Sequence, residues 1–217
     1  MSVGDRVLVA TDSPEVAAVA RSAGAEVEMT RDDHPSGTHR VAEVAAKPEF
    51  AGFDVVVNVQ GDEPYINADG ILGAASHVER GTFALGTAAC QAGVEVLGDP
   101  SVVKVVLDSH DRALYFSRAP IPFLRDDADA AHRLPLVRQH LGVYAYTPLA
   151  LARWAALPPH PLELCERLEQ LRPLADGMAM GVATVGAVTG GGVDTEEDLR
   201  IANQRWYEKI PSDAGAY

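Results

Sequence analysis

The chain has 217 residues, of which 47% are hydrophobic and 23% charged, and its formal net charge is −13. That length suffices for one sizeable domain with its own core. So acidic a balance argues against a nucleic-acid partner, because a phosphate-backbone binder needs a basic surface to displace counterions. The two cysteines, Cys90 and Cys165, stand far apart and outside any metal-ligand spacing, so neither a disulfide framework nor a zinc site is expected. No apolar run approaches the roughly 20 residues that span a bilayer, and no basic-then-apolar leader opens the chain, so no membrane contact is expected and the compartment is the cytoplasm.

Short apolar runs alternate with helical stretches, the pattern of a layered βαβ sheet. Residues 7–10 (VLVA) read as a buried strand. Ser13 and Pro14 then open a helix as N-cap and first helical residue, and Gly24 closes it. A second strand covers 25–29. A polar loop spans 31–38, and Val41, Val44 and Ala45 recur at helical spacing after it. The β-branched run 55–59 is the next central strand, followed by a helix over 68–80 and a strand over 84–90. Residues 102–108 and 113–117, joined by the polar turn 109–111, read as a hairpin, which makes the sheet mixed. Residues 125–133 have no apolar face and read as a surface loop. A strand over 141–147 leads into a helix over 149–156; Pro158, Pro159 and Pro161 form a rigid linker to a helix over 162–171. A strand over 182–188, a glycine run at 190–192 and a helix over 196–208 close the chain.

The most telling stretch is VVVNVQGDEPYI, residues 55–66, where an apolar run stops at Gln60, Gly61, Asp62, Glu63 and Pro64. In α/β enzymes, ligands bind beyond the carboxyl ends of strands. Asp62 and Glu63 are therefore either solvated turn residues or a metal-and-phosphate shelf, with Gly61 permitting close backbone approach and Gln60 adding an orienting amide. Asp194, in GGGVDTEED, has two readings. Either it or Thr195 is the N-cap of the last helix, or Asp194 faces Asp62 across the sheet edge and the two carboxylates hold Mg²⁺ against substrate phosphates. Ser36, Gly37 and Thr38 precede a helix and either cap it or offer backbone amides to a ligand. Arg118, Arg138 and His140 sit within or beside apolar strands, where an unpaired charge is costly, so each wants a carboxylate, a phosphate or a structural ion pair. Glu169, Gln170 and Arg172, in LEQLR, read by themselves as an ordinary polar helix face. Trp154 and Trp206 read as core or interface packing residues.

Taken together, VATD, SGT, VNVQGDEP, VKVVLD with ALYFSRAPIP, RQHLGVYAY, PLELCERLEQLR and GVDTEEDL run in the order and approximate spacing of the 3-deoxy-manno-octulosonate cytidylyltransferases, or CMP-Kdo synthetases, which the chain resembles over nearly its whole length. The resemblance implies an α/β fold with a Rossmann-like mixed, mostly parallel sheet and helices on both faces, of the nucleotide-diphospho-sugar transferase type. It implies Mg²⁺-dependent transfer of CMP from CTP to the anomeric hydroxyl of the acidic sugar Kdo, releasing pyrophosphate and giving CMP-Kdo for lipopolysaccharide biosynthesis, in a homodimer. By the same resemblance, Asp62 and Asp194 hold the metal and Gln60 touches the nucleotide. Arg31, Ser36 and Gly37 help form the cytidine pocket. Arg118, Arg138, His140, Tyr144, Glu169 and Gln170 surround the sugar acid, with Arg118 counted among the catalytic set. Residues 136–175 are the expected acceptor-binding and dimerisation part of a single domain, 1–217.

Two departures from the family pattern stand out. Family members begin with a strand and a glycine-rich basic loop, PARxxSxRxPxKxL, which cradles the triphosphate. Here residues 1–6 pass directly into Val7. The expectation is an N-terminally truncated fold, arising from a start codon placed too far downstream or from a true truncated homologue with impaired activity. His39 stands where the family usually has glutamate. Besides the Kdo reading, two others stay open: a cytidylyltransferase for another ulosonic acid or a phosphonate, and a non-catalytic dimerising module.

Overall fold

The computed structural model describes residues 3–186, 192, 193 and 195–209. Strands β1 (Leu8–Thr11) and β2 (Glu26–Met29) pair in parallel as a separate two-stranded sheet, connected by α1 (Pro14–Ser22). The local chemistry of α1 is as the sequence predicts. Ser13 Oγ accepts the Val16 N–H at 3.2 Å, Pro14 occupies the first turn, and Gly24 takes a left-handed φ of +80° past the helix end. Helix α2 (Gly37–Ala45) follows.

The larger sheet is built from β3 (Val56–Val59), β4 (Leu85–Gln91), β5 (Lys104–Leu107), β6 (Ala113–Ser117), β7 (Arg138–Tyr146) and β8 (Met180–Val185). The order is β6–β5–β7–β4–β8, with β3 also paired to β7. Strand β7 runs antiparallel to β3, β4 and β5, whereas β4 and β8 are parallel. The sheet is thus mixed: β3, β4, β5 and β8 share one direction, and β6 and β7 run against it. The predicted hairpin is β5–β6. Asp108 Oδ1 accepts the amides of His110 (2.8 Å) and Arg112 (2.9 Å) at its turn, where Asp111 adopts φ +59°.

Strand β7 is long enough to serve two neighbours along one edge. Its first residues meet β5 and its last four meet β3, with a register shift opposite Thr87 and Ala88. Consequently β3 ends opposite Val143, and its carboxyl end opens beside the first half of β7. The chain from Gln60 onward lies in that opening.

Helices cover both faces. On one, α3 (Ala68–Glu79) sets Ala74, Ala75 and Val78 against Ala88, Cys90, Leu141, Val143 and Ala145. A Cβ at Gly86 would stand 2.1 Å from the Ala74 carbonyl oxygen, so only glycine lets the helix lie this close. On the other, α5 (Pro148–Ala156) buries Leu151 and Trp154 against Leu85, Phe116, Tyr144, Tyr146, Met180 and Val182. Helix α2 packs beside α5.

Several expected elements differ in detail. Residues 162–171 do not form one helix. They divide into α6 (Pro161–Glu166) and α7 (Leu171–Ala175), separated by Arg167 in the left-handed region with φ 55°. The reason is tertiary, because the Arg118 guanidinium takes the Glu166 and Arg167 carbonyls that a continuous helix would use internally. Residues 125–132 are exposed as expected and Arg133 is half-buried, but the segment is wound, with a 3₁₀ turn at Asp127–Asp129 leading into the short α4 (Ala130–Arg133). Strand β7 starts at Arg138, three residues early, and β8 starts at Met180; positions 187 and 188 of the expected last strand, and 190 and 191 of the glycine run, lie outside the described residues. Helix α8 (Glu196–Lys209) is capped by Thr195, whose Oγ1 accepts the Asp198 N–H at 3.1 Å while Asp198 Oδ2 accepts the Thr195 N–H at 2.9 Å. Cys90 is buried and Cys165 exposed; Trp154 is core as expected, but Trp206 is largely exposed. No helix among the described residues is long and apolar enough to cross a membrane.

Candidate active site at the end of strand β3

Beyond Val59 the chain makes two tight turns, Glu63 N–H to the Gln60 carbonyl at 3.1 Å and Ile66 N–H to the Glu63 carbonyl at 3.3 Å. They lift Gln60, Gly61 and Asp62 into solvent. Gly142 of β7 lies beneath: a Cβ there would be 3.5 Å from Glu63 Oε1 and 4.0 Å from Gln60 Cγ. The Val193 N–H reaches across to the Asp62 carbonyl at 2.7 Å, which brings the segment before α8 alongside this shelf. A small cleft of about 150 Å³ opens there, lined in part by Tyr65, Val193, Asp198 and Arg205. Asp194 lies outside the described residues. Among the described residues no group of three or more His, Cys, Asp or Glu side chains is gathered as a metal cage. An exposed carboxylate with only oxygen donors suits Mg²⁺, which takes one or two carboxylates and fills its remaining positions with water and phosphate oxygens.

The N-terminus of α2 faces Glu169, from the segment between α6 and α7. Ser36 is the N-cap by position but makes no side-chain cap. Instead Ser36 Oγ lies 3.0 Å from Glu169 Oε1, and Thr38 Oγ1 donates to Glu169 Oε2, also at 3.0 Å. A carboxylate beside the positive end of a helix is well placed electrostatically. Arg172 stands 3.8 Å from the same carboxylate and is itself ion-paired to Glu163. Gln170 is buried next to Glu169.

The same face of the sheet carries Arg138, His140 and Tyr144 from β7. The His140 and Tyr144 rings are 5.5 Å apart, and Phe116 meets His140 edge-on at 4.9 Å. His140 Nε2 shares a proton with Thr87 Oγ1 at 2.9 Å. Burial pushes its pKa from 6.5 down to about 3, so it stays a neutral hydrogen-bonding group rather than a cation. Burial also pushes the Tyr144 phenol well up, helped by the nearby Tyr146 and Glu169. Below them the Tyr146 hydroxyl faces Asn58 and Thr38 without reaching hydrogen-bond geometry with either. Among the described residues Arg138 makes two long contacts, Nε to Thr184 Oγ1 and an Nη to the Leu136 carbonyl, both at 3.4 Å.

Arg118 is differently employed. Its Nε donates to the Glu166 carbonyl at 2.9 Å, and its Nη groups reach the carbonyls of Pro100 (2.9 Å), Ser101 (3.5 Å) and Arg167 (3.5 Å). Its backbone N–H and the Ser117 hydroxyl both bind the Glu166 carboxylate, at 2.9 and 2.7 Å. The guanidinium is thus a structural tie rather than a free cation in the site. Arg31 lies at the surface: its side chain is 68% exposed, with Asp33 at 3.5 Å and Glu43 at 3.6 Å.

Of the residues expected from the sequence, contacts link Ser36 to Glu169, Glu169 lies near Tyr144, Tyr144 meets His140, and Gln60 lies against Gly142 of the same strand. The structure leaves Arg31 at the surface and ties Arg118 into the neighbouring loops. Sequence reasoning overlooked Lys104, which is fully buried with Nζ on the carbonyls of Asp99, Val102 and Arg118 at 2.9, 2.7 and 2.5 Å. A lysine inside the β-branched run VKVVL was the available signal. Thr87 gave none, since a threonine in a strand is unremarked.

A layered mixed sheet whose β3 strand ends in an amide, a glycine and a carboxylate, beside a helix N-terminus and a polar face, is the frame of a nucleotidyltransferase of the nucleotide-diphospho-sugar type. The model of the Cytidylyltransferase family matches residues 1–180. The chain is 57% identical over all of its 217 residues to the 3-deoxy-manno-octulosonate cytidylyltransferase of Gemmatimonas aurantiaca, covering 84% of that protein. It is 47% identical over 201 residues to the one of Syntrophobacter fumaroxidans, with 90% of this chain and 77% of the relative covered. The solved structure of CMP:2-keto-3-deoxy-manno-octonic acid synthetase complexed with CTP superposes with a TM-score of 0.84 at 34% identity, covering 94% of this chain and 82% of that one. The inositol-1-phosphate CTP transferase of T. maritima, at TM-score 0.58 and 13% identity, shares the fold alone; the overlap covers 97% of this chain and 78% of that one. The chain belongs to the 3-deoxy-manno-octulosonate cytidylyltransferases.

Proposed function

We propose that the protein transfers CMP from CTP to the anomeric hydroxyl of 3-deoxy-D-manno-octulosonate, giving CMP-Kdo and pyrophosphate for lipopolysaccharide biosynthesis in the cytoplasm. The observation that carries this reading is the position of Glu169. Its carboxylate is shared between Ser36 and Thr38 at the α2 N-terminus, on the face that also holds Tyr144 and His140. A nucleotide side and an acceptor side thus meet at one carboxylate, next to the Gln60–Asp62 shelf.

In this reading Gln60, Ser36 and Gly37 orient the cytidine, and Asp62 with Asp194 would hold Mg²⁺. When bound, that ion neutralises charge along the phosphates. Glu169 and Tyr144 offer hydrogen bonds to the polyol, and neutral His140 does the same without adding charge. With Arg118 engaged by carbonyls, Arg138 is the arginine available to oppose the acceptor carboxylate. Rate enhancement rests on positioning the acceptor hydroxyl against the α-phosphate. Residues 136–175 form the acceptor-binding part and the homodimer contact; the exposed Leu149, Leu162 and Leu164 support an interface there. The test is pyrophosphate release by the purified full-length protein given CTP, Mg²⁺ and Kdo. Release only with another ulosonic acid or a phosphonate would select a different acceptor, and no CTP binding by calorimetry would leave a non-catalytic module.

A further inference from the structure

Ser36 carries one hydroxyl proton and faces two acceptors. Its Oγ is 2.8 Å from His39 Nδ1 and 3.0 Å from Glu169 Oε1, while Thr38 supplies the proton to Oε2. His39 Nδ1 itself stands 3.9 Å from Oε1. A neutral imidazole with a bare Nδ1 takes the Ser36 proton and leaves Oε1 without it. An imidazolium instead donates to Ser36 Oγ, and the Ser36 proton passes to Oε1. The two arrangements use the same atoms in the same places and differ by one proton.

We propose that His39 is a positioning residue of the acceptor side: acting through Ser36, its neutral form keeps Oε1 of Glu169 open to a hydroxyl of the acceptor, and its protonated form closes it. This rests on reading Glu169 as an acceptor-side residue. The groups that face His39 are Glu169 from the segment before α7, Arg172 from α7, Glu163 from α6, His34 from the loop before α2, and the Ala155 carbonyl of α5. Burial lowers the His39 pKa, with Arg172 and His34 acting in the same direction against Glu169 and the Ala155 carbonyl. The neutral, open form is therefore the resting one at neutral pH, and closure falls on the acid side.

The test has two arms. In the first, imidazole NMR follows His39 in the full chain from about pH 5 to about pH 8, with the resonance assigned by its loss in His39→Gln, or in His39→Asn where that variant does not fold. Glu169→Gln is expected to move the His39 midpoint acidward, and the displacement is expected to shrink by roughly half or more in a Ser36→Ala background. No displacement, or the same displacement with and without the Ser36 hydroxyl, overturns the relay. In the second arm, the KM for Kdo is expected to rise about five-fold on the acid side, the worth of one hydrogen bond, with kcat within about two-fold. In His39→Gln the KM is expected to be flat, and an unchanged acid rise there overturns the proposal. If no acceptor is turned over, the proposed function falls, and the NMR arm still decides the relay.

Discussion

Arg172 meets Glu163 in a two-pronged ion pair, Nε to Oε2 at 2.8 Å and an Nη to Oε1 at 2.5 Å, with side chains only 7% and 13% exposed. The pair spans the break at Arg167, so it fixes α6 against α7 where neither helix is long enough to hold its own position. Glu169 lies between the two, and its approach to Ser36 and Thr38 depends on that frame.

Removing one partner strands a buried charge. Arg172→Met is therefore expected to lose about 3–5 kcal/mol of stability in urea denaturation at neutral pH. The Glu163 carboxyl is held below its ordinary 4.5, chiefly by its hydrogen bond to Arg172. A folded-state pKa depressed in this way contributes stability above the unfolded value and loses it as pH falls through the folded one. The variant's stability should accordingly fall less steeply than that of the wild type below about pH 4.5.

Lys104 supports the site from behind. All three of its ammonium protons go to carbonyls, from Asp99, Val102 and Arg118, and the neighbouring Val103 carbonyl receives the His140 N–H at 2.9 Å. Lys104→Met keeps the bulk but leaves three carbonyls without their donor. A loss of about 3 kcal/mol is expected in chemical denaturation, together with faster amide exchange at His140. An unchanged His140 exchange rate would show that the loop is held by other contacts.

What the sequence made legible was whatever local chemistry decides. Ser13, Pro14 and Gly24 mark α1 because caps and left-handed turns are properties of single residues, and Asp108 marks the hairpin for the same reason. Asp62 was visible as a carboxylate where an apolar run stops. The central position of β7 was not, because nothing in RQHLGVYAY states which strands flank it. Arg118 was recognised as an embedded cation needing partners, but its partners are carbonyls from two loops, and carbonyls leave no trace in a residue string. The split of 162–171 has the same origin. His39 appeared only as a departure from a family pattern; its contact with Ser36, three residues back on the same helix start, needed the fold to bring Glu169 across.

The close seat of α3 gives a sharp stability test. At Gly86 an added methyl would sit 2.1 Å from the Ala74 carbonyl oxygen, so the helix must shift. Gly86→Ala should lose about 3 kcal/mol, at the upper end of overpacking effects. Gly142→Ala is the contrast, since its nearest neighbour would be at 3.5 Å. A change within about 1 kcal/mol is expected there. Thermal melts of the two variants side by side would check both.

His140 should set much of the acid sensitivity of the fold. Its pKa is about 3 when folded, against an ordinary 6.5, because burial disfavours the imidazolium. Between those values the unfolded chain binds the proton and the folded one does not. The sign follows: stability is full above about pH 6.5 and declines as pH falls toward 3, by up to about 1.4 kcal/mol per pH unit. His140→Gln should be less stable at pH 7 through the lost Phe116 and Thr87 contacts, yet its stability should fall less steeply with acid. Urea midpoints measured at closely spaced pH values for both proteins give the two slopes. Equal slopes would mean that His140 is reached by protons without unfolding, as a site open to solvent would allow.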